Sequence, residues 1–238
     1  MNLLAFDTST ETLSVALQRA PTGRECSAAQ WQHTAPGAAQ TSTQLIPAIE
    51  ALMATAGLAY SQLDAIVFGR GPGSFTGLRS TCAVAQGLAY GAQIKVLPVD
   101  TLLAVAEQAR SEHASAAKHW RVCALLDARM DELYACRYVF NSGLWLQDGP
   151  CALFSPEDLV FGECHALSGN VFDCYGKRLA SGALPRWHAL PSASALLRLA
   201  PARLAAGAAL DPAQALPLYV RDQVALTSAE RAAQVARP

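Results

Sequence analysis

Short apolar runs separated by polar turns dominate the first third of the chain. Segment 3–6 predicts a buried strand, and the alternating segment 13–17 predicts a strand that returns beside it. Residues around 26–33 predict a third antiparallel strand. A helix is predicted over 42–55, because apolar residues recur on one of its faces, and Gly57 is placed to end it.

The next segments alternate between strand and helix patterns. Segment 65–68 is continuously apolar and predicts a strand that is buried on both faces. The glycine-rich segment 69–79 follows it and leads into a predicted helix over 76–90. A strand over 95–99 and a helix over 101–110 come next. This alternation predicts parallel strands joined by right-handed crossovers, and therefore an α/β fold.

A second block of similar pattern begins near His113. Segment 122–127 predicts a buried strand that ends at Asp127, and a polar turn leads to a returning strand over 132–140. The pattern repeats the strand, acidic turn and strand around Asp7, which indicates two related halves. Near the end of the chain, a helix is predicted over 196–206, before Gly207.

Composition and charge limit the classes of function. Hydrophobic residues make up 52% of the 238 residues and charged residues 16%, which provides for a large core. The net charge is -1 and no basic run occurs, so this chain is poorly suited to grip nucleic acid alone. If RNA is involved, another chain supplies most of the positive surface.

The first residues, the lengths of the apolar stretches and the cysteines favour a cytoplasmic location. The first residues do not resemble a signal peptide, and no stretch approaches the roughly 20 apolar residues that span a bilayer. The seven cysteines are odd in number and include no Cys-x-x-Cys pair, which favours reduced, buried thiols over a disulfide framework.

The glycine-rich segment allows three interpretations. Gly71, Gly73 and Ser74 precede a helix N-terminus and could cradle a phosphate. However, the Gly-Lys-Ser/Thr ending of a P-loop is absent. The close approach that glycine permits could equally serve packing on the chain's own sheet, or packing against a helix of another subunit. Along the predicted helix, small residues fall on one side; they are Gly77, Ser80, Ala83, Val84, Gly87 and Gly91.

Asp7, Thr8 and Ser9 also leave two alternatives open. A carboxylate just beyond a buried strand could hold a Mg²⁺–phosphate complex through water. The other alternative is a turn in which these side chains satisfy their own backbone, and the spacing alone favours it. No metal or nucleophile motif is visible elsewhere, because no two of the histidines have the i, i+4 spacing of a helical zinc site; they are His33, His113, His119, His165 and His188.

Four segments resemble the bacterial TsaB (YeaZ) family. They are LAFDTSTE at 4–11 with SVAL at 14–17, GRGPGSFTGLR at 69–79, DARMDELY at 127–134 and PLYVR at 217–221. The glycine-rich segment matches that family's signature almost letter for letter. The resemblance extends over residues 1–221 and is loose between 140 and 190.

This resemblance implies a fold of the actin-like ATPase (ASKHA, RNase H-like) superfamily, with mixed sheets in two α/β halves. The first half is expected to comprise 1–103 with a returning segment over about 191–225. The second, reduced half is expected over 104–190, followed by a mobile tail over 226–238.

The resemblance also implies a function in making N6-threonylcarbamoyladenosine (t6A) at position 37 of tRNA. TsaB acts there as a non-catalytic partner of the TsaD transferase, joined by the ATPase TsaE, and it forms homodimers through the same helices. On this basis no catalytic residue and no required cofactor are expected in this chain, and contact with tRNA is expected to be indirect. ATP or ADP is expected at most weakly or between subunits.

The same resemblance implies where the partner binds. The two helices over 42–55 and 76–90 are expected to pack as a four-helix bundle with the partner's equivalent pair, through Ser42, Ile46, Ile49, Met53, Thr76, Ser80, Ala83 and Gly87. A vestigial nucleotide loop is expected at Asp7, Thr8, Ser9, Gly71, Gly73 and Ser74. TsaD-like proteins carry two metal-binding histidines on the first helix. Here Thr41 stands where many TsaB relatives keep one, so no metal site is expected.

Two enzymatic alternatives remain. An active ATPase or small-molecule kinase of the actin-like class would use Asp7 and the glycine-rich segment. A peptidase is the least supported alternative, because the sequence shows neither a nucleophile–base pair nor a metal pair.

Overall fold

A computed structural model describes residues 1–21, 27–37 and 41–221 of the chain. The predicted tail over 226–238, and Cys26 at the start of the third predicted strand, lie outside these residues. Within the described ranges, no helix combines the length and the apolar character needed to cross a membrane.

The first half of the chain forms a five-stranded mixed sheet. Its order is β3-β2-β1-β4-β5, for strands β1 (Leu3–Asp7), β2 (Thr12–Arg19), β3 (Ala29–Pro36), β4 (Ala65–Gly71) and β5 (Lys95–Asp100). The first three strands pair antiparallel, whereas β1, β4 and β5 pair parallel. The sequence predicted all five strands and both kinds of pairing.

Three helices connect or flank these strands. They are α1 (Thr41–Ala56), α2 (Phe75–Ala92) and α3 (Thr101–His113). Gly57 follows α1 with a φ of +64°, in the left-handed region that glycine favours, as predicted for the end of that helix. Each helix is slightly longer than its prediction, because helix ends carry weak sequence signals.

The second half repeats this arrangement around a six-stranded sheet. The order β11-β10-β6-β7-β8, with β9 also on β7, joins β6 (His119–Arg129), β7 (Glu132–Asn141), β8 (Leu144–Gln147), β9 (Ala152–Phe154), β10 (Ala166–Gly169) and β11 (Arg186–His188). Strand β6 lies between an antiparallel and a parallel neighbour, as β1 does. The predicted repetition is therefore present. The second half is reduced, since its parallel strands β10 and β11 have four and three residues.

Two further helices complete the described fold, α4 (Phe172–Tyr175) and α5 (Ala193–Ala205). Helix α5 begins three residues before its predicted start. The Ser192 hydroxyl accepts a hydrogen bond from the Ala195 amide at 3.0 Å and caps the helix there. The helix is followed by Gly207 with a φ of +75°, as predicted.

The core is layered, because strand side chains alternate between faces. One face of the first sheet carries Leu4 and Phe6 against α1 and α2. The other face carries Leu3 and Ala5 against α3 and α5, and α3 also packs against the second sheet. The boundary between 103 and 104 stays a prediction, because it falls within α3 and this helix contacts both sheets.

A buried carboxylate links the two halves across this central layer. Glu107 of α3 is 3% exposed. It accepts hydrogen bonds from Arg110 at 2.9 and 3.0 Å, from Arg198 of α5 at 2.9 Å and from Trp145 of β8 at 3.0 Å. Burial raises the pKa of Glu107, but these hydrogen bonds outweigh burial, so the pKa lies below its ordinary value.

We expect Glu107→Ala to lower the free energy of unfolding by about 3 kcal/mol at neutral pH, because it leaves Arg110 and Arg198 without their buried partner. A depressed folded-state pKa gives stability that is complete above the unfolded value of about 4.3 and is lost as the pH falls further. Urea unfolding at neutral and acid pH measures both effects. Glu112→Ala, an exposed change on the same helix, serves as the control and should shift stability by less than about 0.5 kcal/mol.

Candidate functional site

The glycine-rich segment and the Asp7 turn lie against each other, where β1 and β4 end side by side. The Ser74 amide donates to the Ser9 carbonyl at 2.7 Å. The Thr8 hydroxyl donates to the Gly77 carbonyl at 2.9 Å and lies 2.5 Å from the Thr81 hydroxyl. The structure therefore brings together the two sequence features that were expected to form a vestigial nucleotide loop.

The glycines of the segment are required by this close approach. A Cβ atom at Gly69 would lie 1.7 Å from the Asp7 carboxylate, one at Gly73 would lie 2.4 Å from the Ser9 carbonyl oxygen, and one at Gly77 would lie 1.9 Å from the Thr8 carbonyl oxygen. All three distances are too short for any side chain. Of the alternatives that the sequence left open, contact within the chain accounts for these three positions.

Asp7 is enclosed by its own turn. It is 1% exposed, and its Oδ1 accepts hydrogen bonds from the Ser9 amide at 2.9 Å and the Ser9 hydroxyl at 2.6 Å. The Thr101 hydroxyl reaches Oδ2 at 3.5 Å. Burial raises the pKa of Asp7, and these hydrogen bonds only partly oppose it. The turn in which side chains satisfy the local backbone is the arrangement observed.

Two backbone amides of this segment already have acceptors within the chain. The Gly71 amide donates to the Thr101 hydroxyl at 3.1 Å, and the Ser74 amide is occupied by Ser9. A Cβ at Gly71 would meet the Leu218 carbonyl oxygen at 2.5 Å, so the segment from the end of the chain covers this position. Donors already paired within the chain are poorly placed to receive an anion.

A cleft of about 370 Å³ lies between the two halves beside this turn. Among the residues expected in the loop, Ser9, Gly73 and Ser74 line the cleft. Asp7, Thr8 and Gly71 are buried and do not line it. The remaining lining includes residues from the second half and the end of the chain, namely Asp127, Arg129, Met130, Tyr134, Asn170, Leu218, Tyr219 and Arg221.

The sequence did not identify this second wall. Tyr219 stacks on Phe75 at 5.4 Å between ring centroids, and the Leu218 amide donates to the Arg70 carbonyl at 2.7 Å. Arg221 forms an ion pair with Glu132 at 2.7 Å. The sequence signals for this part of the site were the resemblances of segments 127–134 and 217–221 to a known family.

The two helices expected to bind a partner divide into exposed and buried positions. Ile46 is 42% exposed, and Thr76, Ala83 and Gly87 are exposed as well, with Ser80 half-buried. In contrast, Ile49 and Met53, which were expected at the interface, lie in the core between α1 and the first sheet. The apolar period of α1 is the same for a core face and an interface face, so the sequence could not separate the two. Ser42 and Thr41 begin α1, and their side chains lie outside the described part of the structure.

Neither sheet offers a metal centre. Within the described residues, no three His, Cys, Asp or Glu side chains are grouped so that they could hold a metal ion.

We expect Gly77→Ala and Gly87→Ala, two changes on the same helix, to have opposite effects on stability. The new Cβ at 77 would clash with the Thr8 carbonyl, whereas the one at 87 meets nothing within 4 Å. The first change should lower the free energy of unfolding by about 1–3 kcal/mol. The second should raise it by up to about 1 kcal/mol. Urea denaturation of both variants measures the difference, and equal effects would contradict the close contact at Gly77.

We expect the stability of the wild type relative to Asp7→Asn to fall as the pH rises. A carboxyl whose pKa is raised by folding favours its protonated state, so its contribution declines as the pH rises from the unfolded value near 4 through the folded value. The asparagine variant lacks this decline. Urea midpoints of both proteins at acid and neutral pH test the expectation. Asp173→Asn, at an 87% exposed side chain, is the control that should show no such divergence.

Known proteins resemble this chain both in sequence and in structure. A sequence model of the TsaD family, the tRNA N6-adenosine threonylcarbamoyltransferases, matches residues 35–149. The tRNA threonylcarbamoyladenosine biosynthesis protein TsaB of Escherichia coli is 31% identical over 94% of this chain and 96% of its own length. TsaB of Haemophilus influenzae is 42% identical over 58% of this chain, an alignment that spans 54% of the relative.

Solved structures give the same result. YeaZ from Pseudomonas aeruginosa superposes with a TM-score of 0.79 at 37% identity, covering 92% of this chain and 99% of that one. Together with the two mixed-sheet halves, this match identifies the actin-like, RNase H-like fold expected from the sequence. Because the Escherichia coli relative aligns over nearly the whole length of both proteins, the chain belongs to the TsaB (YeaZ) family.

Proposed function

We propose that this chain is a non-catalytic subunit in the biosynthesis of threonylcarbamoyladenosine at position 37 of tRNA, and that it supports a TsaD-like transferase by binding it through α1 and α2. The observation that carries the proposal is the alignment with the Escherichia coli TsaB over 94% of this chain. Both helices also fall inside residues 35–149, the part that matches the TsaD family.

The Asp7 turn supports a role without catalysis. In an actin-like enzyme, this carboxylate and the neighbouring loop would face the substrate. Here Asp7 is 1% exposed and hydrogen-bonded to Ser9, and the glycines contact the chain's own backbone. The residues that would act on a nucleotide are used for packing between β1, β4 and α2.

The exposed face of α2 supports the binding of a partner. Gly87 and Gly91 are exposed, and a Cβ at either position would meet nothing within 4 Å. Each glycine costs this helix about 1 kcal/mol relative to alanine, and no contact among the residues that the structure describes requires it. Close approach by another helix does require such positions, since small residues let two helices pack at about 8 Å.

Neighbouring residues make this face suited to helix packing. Helix α1 packs against α2, and its Ile46 is 42% exposed and adds an apolar side chain to the surface of this helix pair. We expect α1 and α2 to form a four-helix bundle with the equivalent pair of the transferase, or with a second copy of this chain when the transferase is absent.

The remaining parts of the assembly are assigned on the same basis. With a net charge of -1, this chain is expected to contact tRNA through the complex rather than alone. A TsaE-like ATPase is the expected third component. The cytoplasm is the expected compartment, because the complex is expected to modify tRNA there.

Nucleotide binding is proposed to be unnecessary for this chain alone. Any ATP or ADP is expected to bind weakly, in the cleft beside Ser74 and Arg129, or between subunits. Calorimetry with Mg²⁺ and ATP on the isolated chain separates this proposal from an active ATPase or kinase, which would show tight binding and turnover.

We expect Ala83→Leu and Gly87→Leu to abolish co-elution with the cognate TsaD-like protein in size-exclusion chromatography, because a leucine at either position prevents close helix packing. The effect on the dissociation constant should be at least tenfold. The variants should keep the wild-type circular dichroism spectrum, since both positions are exposed.

Ala205→Leu is the matched control, because it places the same side chain at an exposed position of α5. It should leave co-elution unchanged. If the two α2 variants still co-elute like the wild type, the assignment of this helix face is wrong, whatever the role of the chain in tRNA modification.

A further inference from the structure

A bend at residues 148–151 lies along one edge of strand β7, between β8 and β9. Beyond the bend, β9 pairs with the first part of β7 through Leu133↔Phe154 and Ala135↔Ala152. Before the bend, β8 pairs with the last part of β7. The Asp148 amide donates to the Arg137 carbonyl at 2.8 Å, so the bend stays close to this edge throughout.

This register places two cysteines opposite each other. Because Ala135 pairs with Ala152, the next residues in the two directions are Cys136 and Cys151. Cys136 belongs to the core cluster that also contains Tyr134 and Tyr138, its neighbours on the same face of β7. Cys151 packs against the same cluster, so both thiols lie on one side of the sheet.

Cross-strand positions of this kind match the geometry of a disulfide. Residues opposite each other in antiparallel strands have Cα atoms about 4.5–5.5 Å apart, and a disulfide needs about 4.4–6.8 Å. Cys151 lies directly before Ala152, the first residue of β9, in a bend whose backbone can adjust by small changes. Both thiols are free in the structure.

Cys136 also differs from the other buried cysteines in the direction in which its pKa is shifted. A hydrogen bond from the Cys151 thiol lowers the pKa of Cys136, and burial opposes this effect only partly. The same hydrogen bond is the largest cause that raises the pKa of Cys151 well above its ordinary value. Burial alone raises the pKa of Cys82 to about 12 and, as the largest cause, that of Cys164 to about 11. Cys151 is half-buried, so a small reagent can reach its sulfur, whereas Cys136 is 1% exposed.

We propose that Cys136 and Cys151 are a redox-active pair that forms a reversible disulfide on reaction with a low-molecular-weight disulfide such as oxidised glutathione. In the first step, the Cys136 thiolate accepts the proton of the Cys151 thiol that is hydrogen-bonded to it, and the resulting Cys151 thiolate attacks the reagent, forming a mixed disulfide and releasing one glutathione thiolate. In the second, the Cys136 thiolate attacks the Cys151 sulfur and releases the second glutathione. The protein is oxidised by two electrons, the reagent is reduced to two thiols, and the protons of the cysteines pass to the leaving groups.

The bond would fix the bend at 148–151 to the middle of β7. The same strand begins at Glu132, which pairs with Arg221, and includes Tyr134 in the wall of the cleft. Oxidation therefore stiffens the edge of the second sheet beside the cleft. In a reducing compartment the pair would be mainly reduced, as is usual for cysteines that respond to oxidants.

The test is to incubate the folded full chain with graded ratios of oxidised to reduced glutathione, block the remaining thiols with N-ethylmaleimide, and map the products by mass spectrometry. The wild type should show a peptide linked through Cys136 and Cys151, and addition of dithiothreitol should reverse it. Cys174→Ser, at an exposed position, is the control and should form the same link.

Two variants resolve the mechanism. In Cys136→Ser, the second step is lost, so Cys151 should retain a glutathione adduct. In Cys151→Ser, a change at the half-buried position, Cys136 should remain a free thiol. The proposal is overturned if the folded wild type keeps both thiols free while Cys174 takes up glutathione, or if either cysteine is linked to a different partner.

Discussion

The contact between the turn at 7–9 and the glycine-rich segment is the constraint on which the rest of the structure depends. Backbone meets backbone here with no space for a side chain, at Gly73 against Ser9 and at Gly77 against Thr8. This contact fixes where α2 begins and how it crosses the sheet. It also places Ser74 and Phe75 at the cleft, where Tyr219 stacks on the ring of Phe75. The start of α2, one wall of the cleft and the position of segment 217–221 therefore have a common origin.

Helix α2 uses small residues for two different purposes along its length. Its first turn is held against the β1–β2 turn through Gly77, where glycine is a steric requirement. Its last turns expose Gly87 and Gly91, where the chain itself makes no such demand. A single row of small residues in the sequence thus divides into an internal contact and an exposed face, and only the exposed face is available to the partner that we propose.

Much of the fold could be predicted from the sequence, because strand alternation, helix period and Gly57 are local signals. The site was only partly predictable. Asp7 and the glycine-rich segment were identified as a candidate site. Arg129 and Tyr219 of the opposite wall were noted only within segments that resemble a family, because nothing in their spacing along the sequence places them in one cleft. Ile49 was assigned to an interface because a helix shows the same apolar period toward its own core. The pairing of Cys136 with its cross-strand neighbour depends on strand register, which spacing does not reveal.

The carboxylate of Glu107 has a consequence for motion. It accepts hydrogen bonds from Arg110 on its own helix, Arg198 on α5 and Trp145 on the second sheet, so it links the two halves. Rotating one half against the other would pull these donors away from a charge that has no access to water. The two halves are therefore held in one relative position, so the cleft and the exposed faces of α1 and α2 keep a fixed shape.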